Sequence, residues 1–290
     1  MDIFVNLTLS GLSTGMMIFL VASGLSLIFG LMGVLNFAHG SIFMWGAYTG
    51  VWIFARTQSF VLAVLGGIII GLVVGWTVER LTIRRVYGKH VDQILITTGV
   101  MLVLNEIVKA VFGPNIIATK VPPFLDGSWS LGDIVIVKYR IFTILVGLVV
   151  AVGVHLILTR TRVGMIVRAG VQNQEMVQVL GINIKQVFSL VFMFGAALAA
   201  LGGVMMAPSV GAINANMGIE NQMLAFIVIV IGGMGNFLGS ALGSILVGLA
   251  GAYTAWFVPE ASLAVNVAIM AIVLMVKPNG MFGIGGGQHG

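Results

Sequence analysis

Two stretches of this chain set polar side chains and glycines into otherwise apolar runs. The first reads Gly30-Leu-Met-Gly33-Val-Leu-Asn36-Phe37-Ala-His39-Gly40-Ser41, and the second Gly232-Gly233-Met-Gly235-Asn236-Phe237-Leu-Gly239-Ser240. Both hold an Asn-Phe pair followed closely by Gly-Ser. A break in an apolar helix frees backbone N–H and C=O groups, which hydrocarbon tolerates only where they are buried in protein or line a cavity. Paired breaks in the two halves of a chain therefore point to a solute path across a membrane. On that reading the path residues are Asn36, Phe37, His39, Ser41, Gly232, Gly233, Gly235 and Asn236. With no formal charge there, a solute would meet only backbone dipoles and the two Asn amides. The same spacing also suits a tight turn whose Asn caps the following helix, and the residues alone leave both readings open.

Few other side chains can do chemistry. His39 has no partner in sequence, so a hydrogen-bonded structural role is expected for it rather than a relay. Glu106 and Lys109 stand i,i+3 and can pair on one helix face. His155 lies one turn before Thr159-Arg160 and is expected to be structural. There is no paired-carboxylate helix, HExxH, GxSxG or Walker A sequence, so neither catalysis nor ATP hydrolysis by a P-loop is expected. The chain has no cysteine; no metal site and no bound cofactor are expected.

The elements that position these residues follow from composition. The chain has 290 residues, 59% hydrophobic and 8% charged, with mean hydropathy +1.12; a soluble domain carries about 25% charged residues. Residues 3–55 contain no Asp, Glu, Lys or Arg. As one helix they would reach ~80 Å, against a bilayer core of ~30 Å, so the stretch must turn back. The acidic start and the length of this run do not read as a secretory signal. Nine apolar segments emerge, at about 6–30, 36–54, 60–80, 93–112, 141–159, 186–207, 221–235, 240–257 and 261–277. The region 221–257 also reads as one broken crossing. The expected fold is an all-α polytopic membrane bundle of eight to nine transmembrane segments with glycine-broken helices. Residues 1–280 would form a single transmembrane domain, and 281–290 a Gly-rich tail without order.

Basic residues give the orientation. Arg80, Arg84, Arg85, Lys89, Arg160, Arg162, Arg168, Lys185 and Lys277 fall on one side, and the other five basic residues on the opposite one. The first side is therefore expected to be cytoplasmic, with loops 80–92 and 160–185 and the C-terminus. The same asymmetry explains the net charge of +5 without nucleic acid, and membrane lipid is the expected surrounding. In the loop 160–185, Asn173–Leu180 can form a short helix, started by Asn173 and stopped by Gly181. Met176, Val179 and Leu180 share one face, fit to lie on a membrane surface or to dock into a partner's groove.

The run Ser23–Ser41 with its continuation Met44–Tyr48 resembles the N-terminal signature of ABC-importer permeases for branched-chain amino acids, of the shorter, H-type subunit. Arg168–Asn183 resembles that family's cytoplasmic coupling loop, and Gly195–Gly203 and Gly232–Gly239 also match. The resemblance spans nearly the whole chain. It implies a second homologous permease subunit, two cytoplasmic ATPase subunits and a periplasmic substrate-binding protein, in a bacterial inner membrane. Arg168, Glu175, Met176, Leu180 and Gly181 would then sit at the ATPase contact. The expected path is a fleeting, nearly non-binding one, with selectivity left to the external protein. The family also holds permeases for urea, short amides and other small solutes. A self-contained carrier would instead need carboxylates deep in the membrane segments, and the middles of the nine segments lack them.

Overall fold

In a computed structural model the described residues are 2–131 and 134–283. They form α1 (Asp2–Met32), α2 (His39–Thr57), α3 (Phe60–Leu81), α4 (His90–Phe112), α5 (Lys138–Arg160), α6 (Arg162–Gln172), α7 (Gln174–Val179), α8 (Ile184–Val210), α9 (Met217–Gly232), α10 (Phe237–Phe257) and α11 (Ser262–Val276). Four short strands lie at one end of the bundle. They are β1 (Ile117–Ala118), β2 (Ser128–Leu131), β3 (Ile134–Val137) and β4 (Ala212–Ile213), pairing antiparallel as β1–β4 and β2–β3. We call this the strand end; α6 and α7 occupy the opposite, loop end.

All nine apolar segments are helices, and each overlaps the stretch where apolar sequence places it. Seven helices among the described residues are long and apolar enough to cross a membrane, rather than eight or nine. The two that fall short are α2 and α9. The 16 residues of α9 reach only ~24 Å, less than the ~30 Å hydrocarbon core, whereas α11 is lengthened to 18 residues by the 3-10 turn Pro259–Ala261 that leads into it. Helix α2 opens on His39-Gly40-Ser41, and ten of its residues are buried by neighbouring helices, so protein rather than lipid covers its polar start. Helices α9 and α10 fold back on each other: a Cβ on Gly232 would collide with the Gly239 backbone, and one on Gly243 would sit 2.9 Å from the Val228 carbonyl. The region 221–257 is therefore a helical hairpin of two separate segments, not one broken crossing.

Helix α1 is the centre of the bundle, with 83% of its apolar window buried. It runs antiparallel to α10 and α8, and glycines set the spacing. A Cβ on Gly15 would lie 2.8 Å from the Ser244 carbonyl. Without a hydrophobic drive between helices in lipid, such close backbone approach supplies the packing that holds them. By contrast, α5 and α11 turn most of their surface outward, with 17% and 6% of their apolar windows buried.

At the loop end the chain beyond α11 returns to the bundle. Met281 N–H donates to the Ile231 carbonyl at 2.8 Å and Phe282 N–H to the Gly232 carbonyl at 3.2 Å, satisfying the last turn of α9. Residues 284–290 of the predicted tail lie outside the described residues.

Candidate translocation path

The first break is a buried node rather than an open lining. Helix α1 stops at Gly33, whose φ of +63° suits glycine. The chain then runs to Asn36, whose Oδ1 accepts from Ala38 N–H at 3.1 Å. The cap position of α2, Ala38, has no side chain to offer, so the free N–H groups of the first turn need another acceptor. Gln222 of α9 supplies it: its Oε1 accepts from Gly40 N–H, and its Nε2 donates to the Asn36 carbonyl at 3.2 Å. His39 Nε2 meets the Val21 carbonyl at 3.0 Å, and Ser41 Oγ donates to Asn105 Oδ1 at 2.8 Å. Asn36, His39 and Ser41 are at most 1% exposed. Phe37, half-buried, packs on Phe226 with ring centroids 5.0 Å apart.

The second break is a turn. Gly233 and Gly235 have φ of +98° and +82°. Asn236 Oδ1 accepts from Gly239 N–H at 2.8 Å, capping α10, while its Nδ2 donates to the Phe282 carbonyl at 2.8 Å. The two motifs meet through glycines: a Cβ on Gly30 would sit 3.0 Å from the Gly235 carbonyl. The two asparagines do not meet. Asn36 is bonded to Gln222, ten residues before Gly232 along α9, or about 15 Å of helix.

Two clefts lie along one set of helices. At the strand end a cleft of about 750 Å³ is lined by α1 from Asn6 to Ile18, by Arg140 at the start of α5, by Leu224 of α9, by α10, and by Asn266 of α11. At the loop end a groove of about 540 Å³ is lined by Gly30, His155, Val230, Gly235, Asn236 and Leu274, again from α1, α5, α9 and α11. Between them the lining skips from Ile18 to Phe29 on α1, about 16 Å, and from Leu224 to Val230 on α9, about 9 Å. Ala22, Leu25 and Ser26 in that interval are fully buried. The bundle is thus open at both ends and shut in between. Of the predicted path residues, Gly235 and Asn236 line the loop-end groove; Asn36, His39 and Ser41 line neither cleft.

The loop between α5 and α8 holds two helices. Asn173 caps α7, accepting from Met176 N–H at 2.9 Å, and Gly181 ends the turn at φ +81°. Val177 is buried at 2%, while Met176, Val179 and Leu180 stand out at 56%, 81% and 71%. Glu175 is exposed on the same short helix. Arg168 does not join this ridge: it donates to the Leu158 carbonyl in the last turn of α5 and lines the loop-end groove.

Sequence reasoning missed Glu79. This carboxylate in the last turn of α3 is fully buried; Ser189 Oγ of α8 donates to its Oε2 at 2.7 Å and the Tyr87 hydroxyl to its Oε1. Burial first, then the hydrogen bond and charge of Glu79, hold the Tyr87 phenol well above its usual range, with Arg84 acting in the opposite sense. The hydroxyl therefore stays a donor. The signal in the sequence was an acid at the end of a long uncharged run. Glu79→Leu would leave the Tyr87 hydroxyl unpaired, at about 1–3 kcal/mol, and turn Ser189 back to the Lys185 carbonyl at 3.1 Å; it should lower the thermal midpoint of the purified permease by several degrees. Glu79→Gln keeps an acceptor and should cost less than half of that. Equal losses in the two variants would refute this account.

The Glu106–Lys109 pair forms as its spacing requires, at 2.6 Å. Among the described residues no group of three His, Cys, Asp or Glu side chains is placed to hold a metal.

The chain resembles several transport proteins along its length. It is 30% identical to the high-affinity branched-chain amino acid transport system permease protein LivH of Salmonella typhimurium, with 97% of this chain and 96% of that one covered. It is 29% identical to the corresponding protein BraD of Pseudomonas aeruginosa, with 94% of each covered. Among solved structures, PsaBC from Streptococcus pneumoniae in complex with Fab has a similar fold, with TM-score 0.51, 12% identity, and 94% of this chain and 92% of that one covered. The family described as branched-chain amino acid transport system / permease component matches residues 7–274. This match over almost the whole length, with relatives covered nearly end to end, shows that the chain belongs to the branched-chain amino acid transport permease family.

Proposed function

We propose that this chain is one permease subunit of an ATP-driven importer that carries branched-chain amino acids inward across a bacterial inner membrane. The observation that carries the reading is the pair of clefts on α1, α5, α9 and α11, closed from each other by buried side chains. Alternating access needs such a bundle, in which rocking of packed helices opens one end as the other shuts. The permease family and the names of the relatives support the solute class.

The remaining parts follow as proposals. The basic loop end faces the cytoplasm, and the ridge of Glu175, Met176 and Leu180 docks on one of two ATPase subunits. Val177, buried in the same core cluster as Ile184 and Phe188 of α8, makes α7 a lever on α8. The outward faces of α5 and α11 meet a second permease subunit, and a periplasmic binding protein delivers solute at the strand end. A motor shifts the permease only by binding its two states unequally, which α7 can report because it touches both partner and core. Glu79 does not support a proton-coupled carrier, because it lines neither cleft and both its oxygens accept from hydroxyls.

The test is Glu175→Lys. A reversed charge on the docking ridge should cut co-purification with the ATPases about tenfold or more, with the permease still inserted in the membrane. Undiminished co-purification would overturn the docking assignment.

A further inference from the structure

The strand-end cleft carries groups that a mere passage does not require. Arg140 and Glu260 both line it. They bear opposite charges yet do not close on each other, since the ion pairs among the described residues are Lys89–Asp92 and Lys109–Glu106. The guanidinium reaches only the Asn6 carbonyl, at 3.5 Å, which leaves most of its five donors free. Deeper in the cleft, Asn266 is 4% exposed and its Oδ1 has no hydrogen-bond partner. An amide buried in an apolar helix with its acceptor unused is costly. Below these groups Ile18, Leu224 and Val247 form an apolar floor.

We propose that this cleft is a binding site for an α-amino acid zwitterion. Arg140 takes the carboxylate, Glu260 and the Asn266 carbonyl take the ammonium, and the floor takes a branched aliphatic side chain. The site rests on the functional reading above and deepens it, by placing a selectivity step in the permease itself rather than only in the external protein. A lipid offers a similar headgroup, but Ser10 and Thr14 continue the polar wall of α1 beneath Asn6 for about 12 Å. An acyl chain has no use for hydroxyls there, whereas a small hydrated zwitterion does.

The test uses the assembled transporter in nanodiscs containing phosphatidylethanolamine, without the binding protein, and measures equilibrium binding of L-leucine. Trp256 lines the cleft and provides an independent fluorescence readout. Arg140→Gln should weaken leucine about tenfold or more, the size expected for a charge-assisted bond. It should leave isoamylamine, which is leucine without its carboxylate, unchanged. Glu260→Gln should weaken leucine and leave isocaproate, which lacks the ammonium, unchanged. Asn266→Leu should weaken leucine and isoamylamine alike. Equal losses for leucine and isoamylamine in Arg140→Gln would assign Arg140 to structure and overturn the site. So would absence of leucine binding to the unaltered protein, or binding only of phosphatidylethanolamine, lost in Arg140→Gln. ATP-driven uptake with the binding protein separates the two claims. Leucine uptake equal in Arg140→Gln and the unaltered protein overturns the site and leaves the function standing. Leucine bound in the cleft but never transported overturns the function and leaves the site.

Discussion

Gly24→Val should leave almost no correctly folded permease. Gly24 of α1 faces Gly195 of α8 backbone to backbone: a Cβ on Gly24 would overlap the Gly195 carbonyl, and one on Gly195 would lie 2.7 Å from the Gly24 carbonyl. No flexible side chain stands between them to move aside, so the two helices would have to separate. Overpacking in an ordinary core costs about 1–3 kcal/mol. Here the displacement runs along the central helix, and every contact of α1 with α8 is loosened together. Membrane helices are held largely by this kind of close packing, so the loss should consume most of a stability of about 5–15 kcal/mol. Gel filtration of the detergent-solubilised protein measures it: Gly24→Val should aggregate or express at a small fraction of the normal level. Gly99→Val is the control, because nothing lies within 4 Å of a Cβ there, and it should behave as the unaltered protein. A monodisperse Gly24→Val peak would refute the packing argument.

The second large effect belongs to Gln222. Its amide bonds both Gly40 N–H and the Asn36 carbonyl, and so caps in space a helix that its own sequence leaves uncapped. Gln222→Leu would strand the Gly40 N–H in the protein interior, at about 1–3 kcal/mol, and leave the Asn36 carbonyl with only the His39 N–H, at 3.3 Å. We expect a thermal midpoint lower by many degrees, and faster hydrogen exchange confined to the first turn of α2. Gln222→Glu retains the acceptor for Gly40 and should fall between. If Gln222→Leu unfolds at the unaltered temperature, the capping role is wrong.

Gln222 also shows where sequence reading stops. Long uncharged runs place the helices well, because only a helix satisfies its backbone in hydrocarbon, and Asn173 and Gly181 delimit α7 by local bonds alone. The partner of Asn36 stands 186 residues away, and no local pattern announces it. The two Asn-Phe motifs look alike, yet they act differently. Asn236 caps its own helix three residues on, whereas Asn36 bonds Ala38 and leaves α2 to Gln222. Likewise Arg168 is basic and sits in the right loop, but the end of α5 claims it first. The polar ridge of Asn6, Ser10 and Thr14 was legible as an i, i+4 series in the first apolar run. Uncharged polar residues at a helix end are ordinary, so the series by itself points to no site.

The central position of α1 fixes an order of events during synthesis. Helix α1 leaves the ribosome well before its packing partners, α8 and α10, which begin at Ile184 and Phe237. Through most of translation α1 therefore waits without them, its Ser10, Thr14, Ser23 and Ser26 facing lipid or the insertion machinery. The non-local contacts that reward it come last. A nascent chain halted before α10 holds a central helix with half its surroundings missing, which is the form a membrane quality-control protease would meet.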